Sequence, residues 1–261
     1  MASVYDAMAE TYDEIHAQPF YITQYETYAE DLLDRLDDWR GRVLDLGCGT
    51  GIHTRAVAEL SDWAVGIDVS PRLVRKAHAK LRGARGSVVV ADAGHMPFAD
   101  GVFDAALSYG EPLSHIEDPD AVLAELSRVM RPGCRAILSV DNEWNLRTLT
   151  TPRLFLQAAS SRGGSVRDWE FYDDGGHSVR LSLKTFTHGE LTALLSRNGF
   201  QVEDSVGIHV FTLLAPLATD ARGHDWRARA FRVLHGLDRR LADRFPFNRL
   251  GYSKIVAARR I

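Results

Sequence analysis

Apolar residues recur at helical spacing at Val4, Met8, Tyr12 and Ile15 and again at Ile22, Tyr25, Leu32 and Leu36, which predicts two amphipathic helices ahead of the first strand. Beyond them the period shortens. Apolar runs near 42–46, 63–67, 87–91, 102–108 and 134–141 read as strands, and amphipathic segments near 51–60, 71–82 and 118–130 read as the helices between them. This alternation predicts an α/β fold built on a doubly wound, mainly parallel sheet. The stretch 142–187, rich in aromatics and glycine, interrupts the pattern before a helix near 188–198 and strands near 200–213 and 251–259. Trp226, Ala230, Leu234, Leu237, Leu241 and Phe245 form a further apolar stripe, with arginines around it, and predict a helix within 222–247. Packing on the domain is its first reading, and contact with an anionic membrane surface the lesser one.

The first strand carries the most informative chemistry. Val43 to Gly51 reads Val-Leu-Asp-Leu-Gly-Cys-Gly-Thr-Gly, an apolar run that holds an acid, breaks into alternating glycines and leads into a helix. Glycines at 47, 49 and 51 let the backbone turn sharply and approach a ligand at the mouth of that helix, where free N–H groups face an acceptor-rich guest. The spacing is G-x-G-x-G, not the G-x-G-x-x-G of dinucleotide folds. Asp45, two residues before the first glycine, would repel a phosphate yet can receive an ammonium group. Asp68 closes the second strand about 20 residues on, where an acid accepts from ribose hydroxyls. Asp92 closes the third. Carboxylates at 45, 68 and 92 therefore share the carboxyl edge of one parallel sheet, and the ammonium, ribose diol and adenine amino group of S-adenosylmethionine match them in turn.

These motifs make the chain resemble the class I S-adenosylmethionine-dependent methyltransferases of small-molecule type, from about Tyr5 to about Phe200. Val43 to Gly51 looks like the family's first motif, Gly66 to Ser70 like its ribose-binding segment, and Ala91 to Phe98 like its adenine-binding segment; Phe103-Asp104 and Leu126 to Gly133 complete the order. The resemblance implies a seven-stranded sheet whose last strand runs antiparallel between its neighbours. It implies cofactor contacts from Asp45, Gly47, Cys48, Gly49 and Gly51 on the loop, Asp68 and Val69 at the ribose, and Asp92 and Ala93 at the adenine. Ser108 after the fourth strand and Tyr12 over the methionine end join them, with ordinary core packing as the alternative for Tyr12.

Composition adds limits. The chain has 261 residues, 45% hydrophobic and 25% charged, which suits a single domain over 1–261 with a helical cover at 1–40. A net charge of -4 without a long basic block argues against a nucleic-acid groove, so the acceptor is expected to be a small molecule. Cys48 and Cys134 alone make no disulfide framework, and neither a leader nor a membrane-spanning run is visible, which gives a cytoplasmic expectation. Oligomeric state is not legible.

Methyl transfer needs alignment and exclusion of water more than covalent machinery, and a neutral hydroxyl or an ammonium acceptor also needs a base. His115, after the fourth strand, is the candidate base, with packing of the following turn as its alternative. Trp144, Trp169, Tyr172 and His177 lie in the 142–187 insertion, expected to hold the acceptor as a lid; a satellite core is the other reading of those aromatics. Glu111 with Asp141-Asn142 offers oxygen ligands for magnesium, but Asp-Asn after a strand is ordinary turn chemistry and no metal is expected. O- or N-methylation of a small molecule is the expected reaction. The alternatives are a protein that binds the cofactor silently or uses it for other chemistry, and, less favoured, an NAD-dependent oxidoreductase.

Overall fold

A computed structural model of the chain describes residues 2–16, 40–160, 164–172, 177–215 and 223–261. The first predicted helix is two short ones, α1 (Ala2–Ala7) and α2 (Tyr12–His16), separated by a turn; the second, at Ile22 to Leu36, lies outside the described residues. The alternation then follows: β1 (Arg42–Leu46), α3 (Ile52–Leu60), β2 (Trp63–Asp68), α4 (Pro71–Lys80), β3 (Gly86–Val90) and β4 (Phe103–Ser108). A single turn, α5 (Pro112–His115), precedes α6 (Pro119–Val129) and β5 (Met130–Asp141). Serine and aspartate start the longer helices: Ser70 accepts from the Leu73 N–H with Pro71 in the first turn, and Asp118 accepts from the Ala121 N–H.

The insertion resolves into α7 (Leu146–Thr150), α8 (Pro152–Ser160) and an antiparallel pair, β6 (Val166–Tyr172) with β7 (Ser178–Lys184). Its aromatics had hidden that hairpin. After it come α9 (His188–Arg197), β8 (Phe200–Ile208), α10 (Trp226–Leu241) and β9 (Ser253–Arg260). The strand predicted to run to 213 stops at Ile208 because His209 takes a left-handed backbone, φ 54°, and a 3-10 turn follows at Thr212–Leu214. β5 starts earlier than its apolar pattern, since Met130 already pairs with Phe103 before the register shifts.

The large sheet has seven strands in the order β3-β2-β1-β4-β5-β9-β8, with β9 antiparallel to both neighbours and the other central pairs parallel. The seven-stranded, mainly parallel architecture is thus the one expected. β1 sits inside the sheet between β2 and β4 with Val43 to Leu46 all buried, as a strand covered on both faces requires. One apolar layer joins Leu44, Leu126, Leu191 and Leu195 on the α6 and α9 face, and a second joins Val43, Val57, Ile137 and Ala242 on the α3 face. Strand order reverses between β1 and β4, the place where open α/β sheets hold ligands.

α10 departs from its predicted stripe. Trp226 is 73% exposed, Phe245 beyond the helix is 72% exposed and Ala230 is exposed, while Ala228, Phe231 and Asp238 face the domain. The buried Asp238 explains the rotation: its carboxylate accepts from the Phe211 N–H at 2.7 Å and the Thr212 hydroxyl at 2.7 Å, so an inward acid turns the helix away from the purely apolar register.

Candidate functional site

The glycine loop closes through its own backbone. The Gly47 and Cys48 N–H groups both donate to the Ile67 carbonyl at 2.9 Å, and the Gly51 N–H donates to the Cys48 carbonyl at 2.8 Å, so the end of β1 is fastened to β2. Gly47 holds φ 77°, and a Cβ there would come within 2.6 Å of the Pro112 ring. Only glycine satisfies both demands.

Asp68 is set by the same loop. Its carboxylate accepts from the Gly49 N–H at 3.0 Å and the Ser70 N–H at 2.9 Å, and burial raises its pKa against those bonds. Asp45 lies beneath at 3% exposure, accepting the Thr54 hydroxyl at 2.5 Å. Burial pushes its carboxyl up to about 7, with the Thr54 bond opposing and the Asp68 charge adding.

A cavity of about 500 Å3 opens along the carboxyl ends of β1, β2 and β4. Its walls include Tyr12, Gly47, Asp68, Val69, Asp92, Ala93 and His115 among the residues singled out from sequence, with Tyr5, Leu73, Ile116 and Ala121 as apolar or aromatic neighbours. Asp92 turns back on its own chain, accepting from the Gly94 N–H at 2.8 Å. Arg128 pins the segment after it by donating to the Phe98 and Met96 carbonyls at 2.7 and 3.1 Å. The N-terminal helices cover one side. Lys80 and the Thr50 hydroxyl hold Asp13 at 2.8 and 2.6 Å, and the Arg72 N–H donates to Asp6 at 3.1 Å.

Other predicted residues sit elsewhere. Cys48, Gly49 and Gly51 shape the loop from behind the wall. Ser108 is fully buried and donates to the Leu46 carbonyl at 3.0 Å, so its hydroxyl is occupied in joining β4 to β1 and does not line the cavity. Trp144 packs edge-on against Phe155, ring centroids 5.8 Å apart, and His177 is exposed just ahead of β7; neither lines the cavity. The side chains of Trp169 and Tyr172 lie outside the described residues.

At the far end, His115 meets Tyr5 edge-on at 6.2 Å. Burial pushes the His115 imidazole down to about 4, and its Nδ1 is enclosed without a hydrogen-bond partner among the described residues. Tyr5 is driven strongly upward by burial and by the charges of Asp68, Asp141 and Glu111, so its phenol stays protonated. Sequence reasoning missed the wall formed by Tyr109, Gly110 and Pro112 and by Ile116 to Asp118; Pro112 as a helix-starting proline was the one available signal. Among the described residues no cluster of three or more histidine, cysteine or acid side chains could hold a metal.

A model of the methyltransferase domain matches residues 43–133. The ubiquinone biosynthesis O-methyltransferase of Xanthomonas oryzae pv. oryzae is 31% identical over 225 residues, spanning 84% of this chain and 78% of that protein. The chain belongs to the class I S-adenosylmethionine-dependent methyltransferases. S-adenosylmethionine is its cofactor, and the DhpI–SAM–HEP complex is similar, at 25% identity and TM-score 0.58 over 77% of this chain and 88% of that one. The fold also resembles the partner of the Trm112 methyltransferase activator in a Haloferax volcanii complex, at 21% identity and TM-score 0.63 over 99% of this chain and 96% of that one. The site fits the cofactor on its own geometry: a backbone-held carboxylate at the end of β2, a glycine whose Cβ would meet the Pro112 ring on the wall, and no lysine or arginine among the described residues of that wall to meet a pyrophosphate. No helix among the described residues is long and apolar enough to cross a membrane.

Proposed function

We propose that this methyltransferase acts on a hydroxyl or amine of a small molecule, bound at the Tyr5–His115 end of the cavity. The observation that carries the reading is the cavity itself. At about 500 Å3 it falls within the roughly 300–1,000 Å3 of small-molecule sites, and its lining is more apolar than polar. The similarity to an O-methyltransferase favours oxygen over nitrogen. A net charge of -4 supports a small acceptor over nucleic acid.

In this reading Asp68 receives the ribose hydroxyls, Asp92 and Ala93 border the adenine, and Gly47 lets the backbone close on the methionine portion. Asp45 lies under the loop as the counter-charge for the ammonium. Tyr12, whose hydroxyl lies 3.3 Å from where a Gly49 side chain would begin, caps that portion. The bound cofactor supplies an activated methyl group on a sulfonium. The protein contributes alignment and exclusion of water, and α1 with α2, the described part of the cover expected over 1–40, closes one side. Residues 142–187 serve as an acceptor-side insertion, anchored by Glu143; 222–247 is an outer buttress. A cytoplasmic location accords with this chemistry.

The test is turnover. Incubation with S-adenosylmethionine and panels of phenols, alcohols and amines should release S-adenosylhomocysteine and add one CH2 unit to a member of the phenol or alcohol panel. Turnover confined to nucleic acid or to protein substrates would overturn the assignment.

A further inference from the structure

The apolar stripe predicted within 222–247 faces away from the domain. α10 turns Ala228, Phe231 and Asp238 inward, and its opposite face carries Trp226, Ala230 and Val233 at helical spacing, with Trp226 73% and Val233 67% exposed. The rotation is held at two points. Asp238 accepts the Phe211 N–H and the Thr212 hydroxyl, and the carbonyl of Ala242, at the helix C-cap, accepts the Gly207 N–H at 2.9 Å. Rolling the helix to hide its outer apolar residues would strip that buried acid of its partners. β9 lies antiparallel between β5 and β8, so β8 runs parallel to β5 and ends on the sheet edge that holds the cofactor cavity. α10 is moored at that edge.

Arginine surrounds the outward stripe. Residues 226–244 hold six arginines and no lysine against two aspartates, one of them the buried Asp238, in a chain whose net charge is -4. Arg229 and Arg240 stand on the same face as Val233, and the Arg227 guanidinium lies over the Trp226 ring, 5.6 Å from its centroid. Arg229, Arg240 and Arg244 are exposed and make no ion pair among the described residues. A charged outer face is ordinary, and so is a lone exposed apolar residue. Their union on one helix face is a different matter, because it calls for a partner that offers anions and an apolar medium together.

We propose that the outer face of α10 docks the protein on the anionic surface of a lipid bilayer, with Trp226 and Val233 entering the boundary between headgroups and acyl chains and the flanking arginines meeting lipid phosphates. Nucleic acid would satisfy the cations and leave Val233 wet. A second copy set face to face would oppose arginine to arginine, which costs affinity. At 16 residues and with cations along its face, the helix lies in the membrane surface and does not span it.

The test uses the full chain and vesicles of two compositions, phosphatidylcholine alone and phosphatidylcholine mixed equally with phosphatidylglycerol. The protein should float with the mixed vesicles and not with the neutral ones, and binding should weaken steeply as salt rises. Tryptophan emission should move to the blue on binding, and Trp226→Phe should remove most of that shift. A variant combining Arg229→Glu, Arg240→Glu and Arg244→Glu should lose about 100-fold or more in vesicle affinity, at about fivefold for each cation removed. Its unfolding temperature and S-adenosylhomocysteine affinity should match wild type, since the three side chains are exposed and none lines the cavity. Absence of flotation with the mixed vesicles, equal flotation with both, or full flotation by the triple variant would overturn the proposal. So would a dimer in sedimentation that Val233→Asp dissociates, with no vesicle binding, which would give the face to a second copy. None of these readouts involves the methyl acceptor, so they stand apart from the test of turnover.

Discussion

Replacing Asp45 by asparagine isolates the electrostatic cost of the glycine-loop acid. In the folded protein the carboxyl is 3% exposed and titrates at about 7, whereas in an unfolded chain it titrates near 3.9. Between those values the folded state keeps a proton that the unfolded state gives up, so stability falls as pH rises through that window. A gap of about 3 units at 1.36 kcal/mol each amounts to about 4 kcal/mol, fully present as stability below pH 4 and lost above pH 7. Asparagine has no proton to lose. The stability of Asp45→Asn minus that of wild type should therefore grow by about 4 kcal/mol from pH 4 to pH 8 and be flat on either side. Urea unfolding of both proteins across that range, followed by tryptophan fluorescence, measures it. Parallel stability curves would refute the reasoning. A second readout tests the proposed contact with the cofactor ammonium, which favours the ionised form of Asp45. Binding of S-adenosylhomocysteine near pH 6 should release a proton from wild type and none from the variant, as seen in the buffer dependence of the calorimetric heat.

Three further outcomes follow from the geometry. Gly47→Ala forces a side chain into φ 77° and onto the Pro112 ring, which should cost about 2–4 kcal/mol and abolish measurable S-adenosylhomocysteine binding; a thermal unfolding temperature equal to wild type would contradict the close approach. Glu143 is fully buried and accepts from the Ser165 N–H and hydroxyl at 3.0 and 2.7 Å and from the Thr185 hydroxyl, so Glu143→Ala should lower stability by about 3 kcal/mol. Its hydrogen exchange should rise around 165–185 and not in β1, and uniform exchange would count against a local anchor. Lys254 is fully buried with its ammonium unpartnered among the described residues, and burial, with Arg249 adding, pulls it down to about 7. Since the unfolded amine stays protonated to about 10, the folded state is penalised below that pH and the penalty is complete below 7. Lys254→Met should raise stability at pH 6 by about 3 kcal/mol, and a lower unfolding temperature would count against it.

The glycine spacing and the strand-ending acids identified the family, because the chemistry of a turn and of a carboxylate beside it is local: Gly47 must hold φ 77° wherever the rest of the chain lies. The α/β alternation was legible for the same reason, since a strand buried on both faces and an amphipathic helix each show their burial in a few residues. The hairpin β6–β7 does carry an alternation, with Val179, Leu181 and Leu183 between polar residues, but the aromatic and glycine-rich composition of 142–187 masks it. The inward face of α10 was misread because a single buried acid, satisfied by backbone groups at 211 and 212, outweighed the apolar stripe.

What the sequence determined by itself was therefore the set of local devices: the loop, the caps, the order of strands and helices, and the cofactor that those devices suit. Only the tertiary structure decided which of the candidate residues meet. It turned Ser108 inward to the Leu46 carbonyl, left Trp144 and His177 off the cavity wall, and tied the backbones after β4 and at the end of β5 through Ser114. The physical reason is range. Backbone conformation and helix capping depend on neighbours a few positions away, whereas burial, the pKa shifts that burial causes and the walls of a cavity depend on groups that the chain separates and only packing unites.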